Sequence, residues 1–295
     1  MRQIFPVAAS SSPIGLIEPA GAVGAVGAVG AVGTVEPIGR PGRAEPGGPG
    51  LAEIARLYAY PASAARPGRP WVRANFVASV DGAATAQGRS GGLSGEADRQ
   101  VFSVLRSLAD VIVAGAGTVR AEKYRPVQES EAWAALRAGR PPTPPIAVVT
   151  RQLDLDPDGP LLTGAPRSAR TIVLTTDAAP ADRRAAAARH ADVVVAGRDM
   201  LSPEAITGAL ADRGHRRILI EGGPHLLGQI AAAGLLDELC LTLSPLLAGG
   251  QSGRILAAGA AGGYDIPAAQ AGLSLAHVLE DSGFLLCRYV RTEAS

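Results

Sequence analysis

The chain has 295 residues, 47% of them hydrophobic, enough for one large domain or two small ones with a sizeable core. Lys and Arg number 28 against 27 for Asp and Glu, so no excess positive field exists to hold a nucleic-acid backbone or an anionic membrane, and neither is expected as a partner. Cys240 and Cys287 lie far apart, and with four histidines and no metal-ligand spacing no metal site is expected; free thiols are the simpler reading, a bridge the alternative.

The first 50 residues are dominated by low complexity: Gly21 to Val32 is the tripeptide Gly-Ala-Val written four times. That stretch is too short and too weakly apolar to span a membrane, and it lacks the layout of a secretory signal. Four triplets without proline could not sustain a collagen helix either. Residues 1–50 are therefore expected to be mostly disordered, because such a segment buries too little surface to offset its ordering.

Order is expected to begin with a short helix over Leu51–Tyr60, followed by a Pro- and Gly-rich linker to Pro70. From Trp71 the chain alternates. Trp71–Ser79, Val111–Ala114, Ile146–Thr150, Thr171–Thr175, Asp192–Ala196 and Arg217–Glu221 read as strands covered on both faces. Between them, Ser94 can cap a helix running to Leu108, and Ser202-Pro203-Glu204 opens another to about Asp212. The end differs: Glu238–Leu243, Ser274–Glu280 and Phe284–Arg291 are strand-like, with Asp281-Ser282-Gly283 as a hairpin turn. The expectation is a single α/β domain over 71–295, with a mixed, mostly parallel sheet, helices on both faces and an antiparallel finish.

Four segments could carry chemistry. The strand from Asn75 ends in Ser79-Val80-Asp81-Gly82, and an Asp at a strand's carboxyl end lies where ligands dock in an open α/β sheet; an Asp that only caps the turn is the alternative. Gln87 to Gly92 suits a loop closing over a ligand. Strand Val111–Ala114 runs into Gly115-Ala116-Gly117-Thr118, a turn able to offer backbone N–H groups and a hydroxyl to a phosphate. A second junction of the same build, Glu221-Gly222-Gly223-Pro224-His225-Leu226-Leu227, follows Arg217–Glu221. Between the two, Arg151 ends a buried strand where a guanidinium could pair with a ribose 2′-phosphate or simply face solvent.

In order and spacing, Ser79 to Gly82, Leu105-Arg106, Asp110 to Val119, Glu221-Gly222-Gly223, Gly234 to Leu239 and Ser244 to Gly250 resemble the reductase domain of bacterial riboflavin biosynthesis across about residues 71–291. The resemblance implies a dihydrofolate-reductase-like fold, NADPH as cofactor, and a ribosylaminopyrimidine 5′-phosphate whose ribose is reduced by direct hydride transfer. It also implies site residues. Gly115, Gly117, Thr118, Glu122, Arg151 and Gly222 to Leu227, with Gly223, Pro224, His225 and Leu226, would contact the cofactor. Ser90 and Arg106 would contact the substrate, with Asp81 and Glu221 facing the reacting atoms. A cytoplasmic homodimer would follow. The chain departs from the family in two places: Ala83 stands where a basic residue is common, and Lys123 to Val127 differs from the usual proline-containing turn. A reductase of a dihydropterin-like substrate and a nucleotide-binding module without turnover are the alternatives. The zinc deaminase often fused to this reductase has no counterpart here, since no histidine begins His-x-Glu and no Cys-x-x-Cys exists.

Overall fold

A computed structural model describes residues 1–6, 50–65, 69–129, 134–257, 259–261, 264–266 and 272–292 of the chain. Short Val- and Ile-rich runs become strands, in chain order β1 (Arg2–Pro6), β2 (Trp71–Ser79), β3 (Val111–Gly115), β4 (Ile146–Val149), β5 (Ile172–Thr175), β6 (Asp192–Val195), β7 (Arg217–Gly222), β8 (Glu238–Ser244), β9 (Gly259–Ala261), β10 (Tyr264–Ile266), β11 (Leu273–Asp281) and β12 (Phe284–Arg291). The helices are α1 (Leu51–Leu57), α2 (Glu96–Leu108), α3 (Ala116–Ala121), α4 (Pro160–Thr163), α5 (Ala181–Ala188), α6 (Pro203–Asp212) and α7 (Pro224–Ala232).

Ten strands form one sheet in the order β1-β11-β12-β8-β2-β7-β3-β4-β5-β6. From β8 through β6 all neighbours are parallel, whereas β12, β11 and β1 join antiparallel. This is the expected mixed sheet. Strand periodicity divides its core: Ile218 and Ile220 of β7 pack with Ile206, Leu210, Leu227 and Ile230, while Leu219 between them packs with Ile54, Val101 and Leu105. Helices therefore cover both faces. The hairpin closes through Ser282 (φ 53°) and Gly283 (φ 83°), and positive φ at both central residues matches the strand twist.

Two local expectations need correction, and two features were not anticipated. Residues 2–6 are not apart from the fold, because β1 pairs with β11 at the sheet edge; the Gly-Ala-Val repeat itself lies outside the described residues. Ser94 does not cap α2: Gly95 holds the cap position, and the Ser94 hydroxyl instead bonds Asp98 at 2.5 Å. Helix α5 and the β9–β10 pair were not legible, being an alanine run and two very short strands. By contrast, Ser202 caps α6 as expected, accepting from the Ala205 N–H at 3.1 Å.

At the end of the sheet opposite the carboxyl ends of the parallel strands lies a buried ionic cluster. Arg73 and Glu238 are both fully buried; Arg73 Nη2 donates to Glu238 Oε2 at 3.0 Å, and Arg288 Nε donates to Oε1 at 2.8 Å. Arg288 also donates to the Leu57 carbonyl at 2.5 Å, tying the last turn of α1 to the sheet. Burial would raise the Glu238 pKa, but the two guanidinium groups outweigh it and hold it below the ordinary value. Such a carboxylate stabilises the fold above the unfolded-state pKa, and that contribution is lost as pH falls through the lower folded value. Glu238→Ala should cost about 3–5 kcal/mol in urea unfolding, since it strands Arg73 in the core. Adding Arg73→Met should recover part of the loss.

Candidate active site

A cavity of about 380 Å³ opens over the carboxyl-terminal half of the central strands. β2 contributes Asn75, Phe76 and Val77; α2 contributes Asp98, Arg99, Phe102 and Arg106; Thr118, Glu122, Tyr124, Glu221, Gly222 and Pro224 complete the far side. The carboxyl ends of the parallel strands are the place where such a sheet binds ligands.

The two glycine junctions meet here because β3 and β7 are neighbours and Ala114 stands opposite Gly222. A β-carbon on Gly222 would lie 2.5 Å from Thr118 Cγ2, and one on Gly223 would lie 3.3 Å from Thr118 Oγ1. Gly222 is thus needed to admit Thr118. A β-carbon on Gly117 meets nothing within 4 Å, and one on Gly115 would only reach the Gly223 nitrogen at 4.0 Å. Gly223 precedes α7, whose first N–H groups have no intrahelical acceptor. Pro224 lines the cavity and His225 is exposed, but Leu226 and Leu227 are buried in the core, so only their backbone can face a ligand. The backbone cradle fits a phosphate-bearing cofactor.

Beside the junction, Arg106 clasps Glu221. Nε donates to Oε1 and Nη2 to Oε2, both at 2.8 Å, and Tyr124 donates its phenol to Oε2 at 3.1 Å. The Glu221 side chain is only 1% exposed. Burial raises the Tyr124 pKa well above its ordinary value, and the neighbouring carboxylate adds to that, so the phenol stays a donor. Phe102 lies under the Arg106 guanidinium, 4.2 Å from its ring centre. The fork expected to contact the substrate is thus also paired with a protein carboxylate.

The remaining expected residues divide. Ser90 and Glu122 both line the cavity and are joined, with the Ser90 N–H and hydroxyl each donating to Glu122 Oε1 at 2.9 Å. That contact seats the glycine loop on the end of α3. Asp81 is not on the cavity wall. Its carboxylate accepts from the Ser79 hydroxyl and from the Ala248 and Gly249 N–H groups at 3.0 and 2.7 Å, which pulls its pKa down to about 2, the Ser79 bond contributing most. Asp81 ties the 79–83 turn to the 245–250 loop, and the turn's own Ala83 N–H is capped by the Ser79 hydroxyl instead. Arg151 follows β4 at the same end of the sheet, exposed and outside the cavity lining. Sequence reasoning missed Asn75, Arg99, Phe102 and Tyr124; the i, i+3, i+7 spacing of Arg99, Phe102 and Arg106 is the signal that could have found the α2 face.

An α/β domain with a ligand cavity at the carboxyl edge of its sheet, beside two meeting glycine turns, is the class this geometry defines. The RibD C-terminal domain model matches residues 70–268, and the chain belongs to that family. It is 30% identical over 186 residues to the 2,5-diamino-6-ribosylamino-4(3H)-pyrimidinone 5′-phosphate reductase of Archaeoglobus fulgidus, covering 62% of this chain and 84% of that one. The enzyme of the same name from Methanothermobacter thermautotrophicus is 32% identical over 193 residues, covering 65% and 85%. A pyrimidine reductase-like protein from Corynebacterium diphtheriae superimposes with a TM-score of 0.69 at 25% identity, over 82% of this chain and 99% of that one.

The close fit of Thr118 against Gly222 gives a direct test. Gly222→Ala should lower stability by about 1–3 kcal/mol through overpacking. Thr118→Ser removes the methyl that the new β-carbon meets, so the double variant should melt above Gly222→Ala alone.

Proposed function

We propose that the chain is an NADPH-dependent reductase of a ribosylaminopyrimidine 5′-phosphate in riboflavin biosynthesis. The observation that carries this reading is the cavity itself: one wall is the paired glycine junctions and the adjoining wall is Glu221, fixed by Arg106 and Tyr124. The two archaeal relatives named as reductases of that substrate class support it.

Gly115, Gly117, Thr118, Gly222, Gly223 and the first turn of α7 would hold the cofactor, with Arg151 toward the adenosine end. When bound, the nicotinamide supplies hydride to the ribose carbon that ring opening makes an imine. The chain orients and shields that carbon. Glu221, held in one plane by two guanidinium bonds and a phenol, presents a carboxylate that cannot swing away, suited to fixing the substrate against the nicotinamide. Arg106 acts through Glu221 and Phe102 packs against it. Ser90 and Glu122 keep the glycine loop over the substrate, and the buried phenol of Tyr124 holds the Glu221 carboxylate from a further direction.

The same reading makes the protein a cytoplasmic homodimer. Leu246 and Leu247, 46% and 82% exposed on the loop after β8, support association through the late part of the sheet. Light scattering at micromolar concentration should give twice the mass of one chain, and a monomer would contradict it.

NADPH oxidation, followed at its absorbance band, should occur with the ribosylaminopyrimidine phosphate and exceed that with dihydrofolate offered side by side. Faster oxidation with dihydrofolate would reverse the choice of substrate. Arg151→Ala should narrow the preference for NADPH over NADH by about 1–3 kcal/mol, the range for a charge-assisted hydrogen bond. An unchanged preference would remove Arg151 from the cofactor site.

A further inference from the structure

Beyond their carboxyl ends the parallel neighbours β2 and β8 continue together, as segments 79–85 and 245–253. The Val80 N–H donates to the Leu246 carbonyl at 3.0 Å, and the Ala84 N–H to the Gly253 carbonyl at 2.8 Å. Side chains join them between and beyond those two bonds. Asp81 accepts from the Ala248 and Gly249 N–H groups at 3.0 and 2.7 Å; Ser252 Oγ accepts from the Thr85 N–H at 3.1 Å and lies 3.0 Å from the Thr85 hydroxyl. Gly249 and Gly250, at φ 59° and 69°, turn the loop back so that both contacts form. Of the two segments, only Ala84 and Thr85 line the cavity, and the chain runs on from them to Ser90 and Gly91, which line it as well. This strip of wall is tied at its far end by Glu122, through Ser90. At its near end it is tied by Asp81 and Ser252.

We propose that Asp81 is a positioning residue of the reaction: by gripping the turn at Ala248 and Gly249 it sets where Ala84 and Thr85 stand against the substrate. The assignment rests on the reductase reading for the identity of the substrate. Asp81 touches no reacting atom, since it lies off the cavity wall, and it acts through the loop. An ionised carboxylate is suited to this, because it has only acceptors to offer and three donors converge on it, the Ser79 hydroxyl and the two amides. Those bonds also hold its pKa down to about 2, so the grip is the same across the neutral range. The loop passes the constraint on through Ser252. Its Oγ already accepts the Thr85 N–H, so when it gives its own proton to Thr85 Oγ1 the threonine proton is left for a ligand oxygen. The wall then holds a donor whose aim depends on the loop behind it.

Asp81→Asn keeps the shape but turns an amide NH2 group toward a loop N–H, which breaks the grip. Two measurements test the proposal. In ligand-free protein, hydrogen exchange at the Ala84 and Thr85 amides should speed up about tenfold in Asp81→Asn, while the amides of Val72 to Val77 in β2 keep their protection. With the ribosylaminopyrimidine phosphate, KM should rise about five- to tenfold, with kcat and the KM for NADPH within about twofold and the shape of the pH–rate profile unchanged. Ser252→Ala should give the same signature, and the double variant should raise KM by less than the product of the two single effects, because both release one strip of wall. Unchanged exchange at Ala84 and Thr85 overturns the proposal. So does faster exchange with KM unchanged, and so does a fall in kcat with loss of a limb of the pH profile, which would make Asp81 an acid or base. Faster exchange in a protein that oxidises no NADPH with this substrate would uphold the grip on the wall and reject the reductase reading.

Discussion

The bidentate pair between Arg106 and Glu221 is the constraint around which the cavity is arranged. It joins the end of α2 to the end of β7, two elements brought together only by the sheet, and Tyr124 closes it from a third direction. A carboxylate so buried must be paired or it would be expelled, and pairing it consumes the fork of the nearest arginine. Glu221 thereby becomes a fixed feature of the wall beside the glycine junctions.

The junction beside that pair shows how packing and binding share the same glycines. Gly222 lacks a side chain because Thr118 occupies the space, and the fit locks α3 against the start of α7. The backbone amides of the two turns are thereby presented from neighbouring strands as one surface. The cradle is a product of strand order as much as of glycine content. On the opposite end of the sheet, the Arg73–Glu238–Arg288 cluster anchors α1 and leaves the carboxyl ends unencumbered.

Much of the architecture was legible because strand periodicity is local. β2 and β12 have the anticipated limits, and the Ser202 cap and the Ser282-Gly283 turn obey rules that act over a few residues. The strand β1 was hidden since nothing in five residues signals that an edge 270 residues later awaits a partner. The site was legible in part. The motifs named Ser90, Arg106, Thr118, Glu122 and Glu221, and these line one cavity. What the motifs could not supply was who pairs with whom. The carboxylate partner of Arg106 lies 115 residues away, and the loop amides that hold Asp81 lie 167 and 168 residues on.

The central claim is that Arg106 and Glu221 form a pair internal to the protein, and a double-mutant cycle on the ligand-free chain tests it most directly. Arg106→Met, Glu221→Gln and the combination would be compared by urea unfolding. Each single variant leaves a buried group without its partner, so the double variant should be more stable than the sum of the two losses, with a coupling of about 1–3 kcal/mol. Strictly additive losses would contradict the account.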